Sequence, residues 1–208
     1  MRYRKGFFGG TFDPIHNGHL HLALELSEAH NLDEVFFCPT SQSPHKKQSP
    51  PQASKDHRRA MVTAAIAPFP QFTLLDYELQ KTMPCYTIDT IRSLIEADKE
   101  RKGDKIHYFL LLGDDAAATL PTWKEVEELV LLATPLVGSR EEELFSDIKG
   151  FPRSLSQLLN KGWTQIPRLE ISSTWIRQRI SQEKYAGYLV PGKVWDYIQT
   201  HQLYQNQK

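Results

Sequence analysis

The chain has 208 residues, of which 40% are hydrophobic and 24% charged, with 25 Lys+Arg against 25 Asp+Glu and hence a formal net charge of zero. That balance argues against a general nucleic-acid footprint, which draws on an excess of basic charge, and no apolar run approaches membrane-spanning length. A single α/β domain over residues 1–208 is ordinary at this size and can bury a substantial core.

Taken in chain order, strand-like and helix-like patterns alternate, as in βαβ units around a parallel sheet. The opening Met1-Arg2-Tyr3-Arg4-Lys5 is basic but has no long apolar stretch behind it, so it does not read as a secretory signal. Residues 4–9 read as the first strand. Leu20, Ala23, Leu24 and Ser27 then set small and apolar side chains at helical spacing to about residue 30. Residues 35–39 form a second strand containing Cys38, whose default role is packing. With Cys85 it makes a pair of thiols expected to stay reduced in a cytoplasmic protein, without histidines at zinc-ligand spacing.

The Pro-, Ser- and Lys-rich stretch 41–54 suits a mobile loop. A helix from about Asp56 turns Met61, Ala64 and Ala65 inward. A short strand at 72–75 precedes a helix from Thr87 to about Glu100, with Ile88, Ile91 and Ile95 on one face. The most apolar strand, 106–112, ends at Gly113-Asp114-Asp115. Helix 126–132, strand 134–138, a late strand at 165–169, and helices at 174–181 and 192–200 complete the reading; the polar stretch 140–152 is weakly patterned. No internal repeat or linker divides the chain, and residues 172–208 are read as part of the same unit.

The most specific segment joins the first strand to the first helix: Gly9-Gly10-Thr11-Phe12-Asp13-Pro14-Ile15-His16-Asn17-Gly18-His19-Leu20. A helix start preceded by glycines attracts anions, because its first N–H groups lack internal partners and its dipole end is positive. Two imidazoles three positions apart add donors, so the segment reads as a site where phosphate reacts. It matches neither the P-loop nor G-x-G-x-x-G; what remains is H-x-G-H. Far downstream, Ser172-Ser173-Thr174 opens a helix carrying Arg177 on its first turn, which makes a second anion site or, for the hydroxyls alone, a plain cap. In open α/β sheets ligands bind beyond the C-terminal ends of strands, where these segments fall.

Together these stretches resemble a known family. The first is similar to the N-terminal signature of the nucleotidylyltransferase superfamily, in a form close to bacterial nicotinate-nucleotide adenylyltransferases. Ile171-Ser172-Ser173-Thr174-Trp175-Ile176-Arg177 resembles that family's I-S-S-T-x-I-R. Tyr86-Thr87-Ile88-Asp89-Thr90, Gly113-Asp114-Asp115, Pro121-Thr122-Trp123, Leu189-Val190-Pro191 and Leu203-Tyr204 follow its order.

The resemblance implies a Rossmann-like parallel sheet with helices on both faces, and transfer of AMP from ATP to nicotinate mononucleotide by direct in-line attack. It implies catalytic roles for His16, His19 and Arg177. ATP contacts are implied at Gly9, Gly10, Thr11, Phe12, Gly18, Gly113, Asp115, Ser172, Ser173 and Thr174; Lys46, by its place in the 41–54 loop, reads either as a cation closing over the triphosphate or as a solvated loop charge. Tyr86, Thr87 and Trp123 are implied to hold the pyridine nucleotide, with the indole on the ring. Mg²⁺ is expected to ride on the substrate phosphates, with no metal site in the protein. Departures from the family pattern are the acidic Glu141-Glu142-Glu143 after Arg140, and Asp114 where a small residue is usual. The competing readings are an adenylyltransferase for pantetheine phosphate or nicotinamide mononucleotide, and a nucleotide-binding regulator without turnover.

Overall fold

A computed structural model describes residues 2–41, 50–81, 85–99, 105–139 and 153–206. Its strands are β1 (Arg2–Gly10), β2 (Glu34–Pro39), β3 (Phe72–Leu74), β4 (Lys105–Gly113), β5 (Ala133–Ser139) and β6 (Trp163–Gln165). The helices are α1 (Asn17–Ala29), α2 (Lys55–Ile66), α3 (Thr87–Asp98), α4 (Asp114–Thr119), α5 (Val126–Leu132), α6 (Arg153–Lys161), α7 (Ser173–Ser181) and α8 (Gly192–Thr200). The hydrogen-bonded order is β3-β2-β1-β4-β5-β6, the 3-2-1-4-5-6 order of the doubly wound dinucleotide-binding fold. The Rossmann-like α/β class implied by the sequence is the one found. Among the described residues no helix is long and apolar enough to cross a membrane.

The chain packs as two units. The first comprises Met1–Gly9, Leu22–Phe36 and Tyr86–Arg168. Here β1 pairs β4 in parallel from Arg2↔Lys105 to Phe7↔Leu110, and β4 pairs β5 from Tyr108↔Ala133 to Gly113↔Gly138. β4 is buried from Tyr108 to Leu112, as are Phe7, Phe8, Leu136 and Val137 on its neighbouring strands. A near-continuous apolar strand is what a sheet covered on both faces demands. Gly138 is required by packing, since a Cβ there would lie 2.2 Å from the Leu22 side chain. Lys5, 2% exposed, is held by Asp98 at 2.6 Å, the partner that a buried ammonium needs.

The late strand corrects the sequence reading. β6 is Trp163–Gln165, and 166–169 are not strand. Gly162 lets the chain approach β5 so closely that a Cβ would meet the Pro135 carbonyl at 1.9 Å. The pairing runs only from Val137↔Trp163 to Ser139↔Gln165. Ile166 N–H still donates to Ser139 O, and Pro167 then removes the next donor. Helices α4 and α6 are additions to the sequence reading. Ala64 and Ile95, expected to face inward, are only half-buried, while Val62 is fully buried beside Met61 and Ala65.

The second unit comprises Gly10–His21, Phe37–Cys85 and Leu169–Lys208. Its core gathers Phe12, Ile15, Phe37, Met61, Val62, Ile176, Ile180, Val194 and Ile198. Cys38 and Cys85 are buried thiols that form no disulfide.

Candidate active site

His16, His19, Arg177 and the hydroxyl trio Ser172–Thr174 all belong to the second unit, and its packing explains their spacing. The carbonyl of His16 accepts from the main-chain N–H groups of His19 and Leu20 (2.9 and 3.3 Å), so this residue starts α1. The two imidazoles stack, with ring centres 3.7 Å apart and planes at 24°. Gly18 makes that possible: a Cβ there would lie 3.1 Å from His16 Nδ1. The small residue of H-x-G-H therefore leaves room for the histidine ring itself.

The chemistry of the pair follows. His16 is 5% exposed, and burial lowers its pKa to about 3, so it is neutral near pH 7. Its main-chain N–H donates to His19 Nδ1 at 3.2 Å, which places the proton of neutral His19 on Nε2. His19 also meets the buried Phe12 ring edge-on, with centres 5.0 Å apart. Phe12 itself has φ 48°, a left-handed conformation that bulky residues rarely adopt and that persists only where surroundings enforce it. Gly10 is part of that enforcement, because a Cβ there would meet the Phe12 ring at 2.9 Å.

Helix α7 is tied to the same loop. Its cap, Ser172, accepts from Trp175 N–H at 3.2 Å. Ser173 Oγ donates to the Pro14 carbonyl (2.8 Å), and Arg177 Nη1 donates to the Asp13 carbonyl (2.7 Å). Arg177 Nη2 reaches Thr174 Oγ1 at 3.4 Å. The capping role and the anion-site geometry thus coexist in one helix start. Among the described residues, buried His16 Nδ1 and Arg177 Nε have no hydrogen-bond partner.

Three supporting residues escaped the sequence reading. Asp13, 3% exposed, accepts from Gln52 N–H, Ala53 N–H and the Tyr204 hydroxyl. Arg58, 1% exposed, donates to the carbonyls of Thr11 (2.8 Å) and Thr40 (2.6 Å), and burial lowers its pKa. These two fix the signature loop from below. The signals available were the acid inside the motif and Tyr204 in the matching Leu203-Tyr204 stretch.

The first unit holds Gly9, Tyr86, Thr87, Gly113, Asp115 and Trp123. Gly113 precedes α4 in extended conformation, and the nearest atom to a Cβ there would be Leu22 Cδ2 at 3.7 Å. Packing does not require this glycine, in contrast to Gly138. Asp115 is exposed on the first turn of α4, whose N-terminus favours a carboxylate. Tyr86 precedes α3, whose first residue is Thr87. The turn at Trp123 lies beside that helix start, for Lys124 stands 4.9 Å over the Tyr86 ring and 3.2 Å from Asp89. Trp123 is half-buried, its Nε1 3.4 Å from Thr119 Oγ1. Gly9 ends the first unit, with Gly10 and Thr11 opening the second. Lys46, Arg140 and Glu141-Glu142-Glu143 lie outside the described residues, as do residues 42–49 of the loop expected to be mobile.

Comparison with known proteins identifies the family and the fold. A family model described as Cytidylyltransferase-like matches residues 7–179. A probable nicotinate-nucleotide adenylyltransferase of Bacillus pumilus is 37% identical over 201 residues, covering 97% of this chain and 98% of its own. One from Leifsonia xyli subsp. xyli is 40% identical over 205 residues, covering 99% and 96%. Among solved structures, Plasmodium falciparum nicotinic acid mononucleotide adenylyltransferase complexed with NaAD superposes with TM-score 0.73 at 21% identity, covering 98% of each chain. That likeness establishes the shared fold.

Proposed function

The chain belongs to the cytidylyltransferase-like family, alongside its nicotinate-nucleotide adenylyltransferases, and from that membership we propose the reaction and the roles of its residues. It transfers AMP from ATP to nicotinate mononucleotide, giving nicotinate adenine dinucleotide and pyrophosphate. An oxygen of the mononucleotide phosphate attacks the α-phosphorus of ATP in line. The bond from that phosphorus to the bridging oxygen breaks, and its electrons leave with pyrophosphate.

Such transfers need little covalent chemistry; they need alignment and stabilisation of spreading negative charge. The observation that carries the reading is the stacked His16–His19 pair on a loop whose Asp13 and Pro14 carbonyls hold Arg177 and Ser173. With His16 neutral, the imidazoles serve as hydrogen-bond donors to phosphate oxygens, while Arg177 and the start of α1 supply positive potential. Gly9, Gly10, Thr11, Phe12, Gly18, Ser172, Ser173 and Thr174 frame the phosphates, with Lys46 as a further cation. Gly113 and Asp115 serve the adenosine, and Tyr86, Thr87 and Trp123 the pyridine ring, for which an indole face is suited.

Mg²⁺ enters with ATP. Among the described residues no three His, Cys, Asp or Glu side chains group to hold a metal, and the donor-rich loop suits phosphate oxygens better than a cation. Bound to the phosphates, Mg²⁺ would neutralise charge as pyrophosphate departs. Function in the cytoplasm is part of the same reading.

A panel assay tests the acceptor. The purified chain is incubated with ATP, Mg²⁺ and, separately, nicotinate mononucleotide, nicotinamide mononucleotide or pantetheine phosphate, and pyrophosphate and dinucleotide are measured. Fastest turnover is expected with nicotinate mononucleotide. Turnover with pantetheine phosphate alone would overturn the acceptor, and ATP binding without product from any acceptor would establish a regulator.

A further inference from the structure

We propose that Tyr204, six residues beyond Ile198 of α8, is a positioning residue for Arg177 and acts on it through Asp13. The inference rests on the reading that Arg177 serves AMP transfer. All three residues belong to the second unit, so the chain of contacts lies within one packed body.

The contacts run in series. The Tyr204 hydroxyl donates to Asp13 Oδ1 at 2.8 Å. The same carboxylate accepts Gln52 N–H at 2.8 Å through Oδ2 and Ala53 N–H at 3.1 Å through Oδ1. The carbonyl of Asp13 then accepts Arg177 Nη1 at 2.7 Å. Among the described residues Arg177 makes one further hydrogen bond, Nη2 to Thr174 Oγ1, which at 3.4 Å is weakly restraining. An arginine has many rotamers to lose, and here the Asp13 carbonyl is its principal tether. Whatever fixes Asp13 therefore fixes the guanidinium.

Among the described residues Tyr204 supplies the one hydroxyl of Asp13's three donors, and its own placement is enforced. Its φ is 65°, a left-handed conformation that a bulky residue keeps only where its surroundings hold it. Burial, and then the Asp13 charge, push the phenol well above its ordinary pKa, so it remains a donor at every working pH. Arg58 grips the Thr11 carbonyl of the same loop, so the loop is braced on either side of Asp13 and small displacements pass to Arg177.

The test is a double-mutant cycle. Tyr204→Phe keeps the ring and removes the hydroxyl. Turnover is expected to fall about tenfold, with KM for nicotinate mononucleotide within twofold of wild type, as a misaligned transition-state donor predicts. In an Arg177→Ala background the same change is expected to have no further effect, because its route has been removed. Asp13→Asn, taken through the same cycle, serves if Tyr204→Phe does not fold, and the same non-additivity is expected. Unchanged turnover in Tyr204→Phe, or equal losses in both backgrounds, overturns the proposal. Full turnover in Arg177→Ala alone overturns it at its premise. If the wild type uses another phosphorylated acceptor, the cycle run with that acceptor still decides the positioning role, so a wrong acceptor and a wrong role give different results.

Discussion

At the scale of single residues, the signature is a set of mutual constraints. His16 N–H fixes the tautomer of His19, Gly18 admits the His16 ring, and Gly10 admits Phe12. Stacked at 3.7 Å, the two imidazoles would repel if both carried charge, so a neutral His16 lets His19 act without a competing cation. Removing a preorganised donor at a developing charge costs on the order of 10²–10³ in turnover. His19→Ala is expected to show that loss in steady-state kinetics with its thermal midpoint nearly unchanged; near-wild-type turnover would remove His19 from the mechanism.

Among the elements, the proposed phosphate contacts fall where helices begin. Gly18→Ala tests this at the start of α1: the new Cβ would sit 3.1 Å from His16 Nδ1 and 3.2 Å from its Cε1. A ring shift of a few tenths of an ångström is expected to reduce turnover about tenfold while the helix is retained, read by kinetics beside circular dichroism. Most elements were legible because their periodicity was strong: β4 is a continuous apolar run, and α3 buries Ile88 and Ile91. Others were not. Helix α6 is mostly polar and shows itself only by buried Leu155 and Leu159, four positions apart. Helix α4 has six residues, too few for a period to register. The late strand was misplaced because Ile166 and Leu169 looked strand-like, whereas Pro167 and the close approach at Gly162 decide the pairing.

At the scale of the whole molecule, the histidines and Arg177 were legible as motifs, but their supports were not. Tyr204 meets Asp13 across 191 positions, and Arg177 meets it across 164; no local spacing encodes such pairs. Burial of His16 also reaches global stability. Its folded pKa of about 3 lies below the unfolded 6.5, so the unfolded chain binds more protons between those values. The stability from neutral His16 is complete above pH 6.5 and is lost as pH falls towards 3. At about 1.4 kcal/mol per pH unit, the loss between pH 7 and pH 4 is on the order of 3 kcal/mol. Urea unfolding at both pH values is expected to show a smaller drop in His16→Gln than in wild type; equal drops would contradict it.

The proposed mechanism stands or falls on paired imidazoles and Arg177 receiving the phosphates of ATP. In a diffraction structure with Mg²⁺ and a nonhydrolysable ATP analogue, phosphate oxygens are expected within hydrogen-bond distance of His19 Nε2 and the Arg177 guanidinium; a triphosphate lodged away from both would rule the mechanism out.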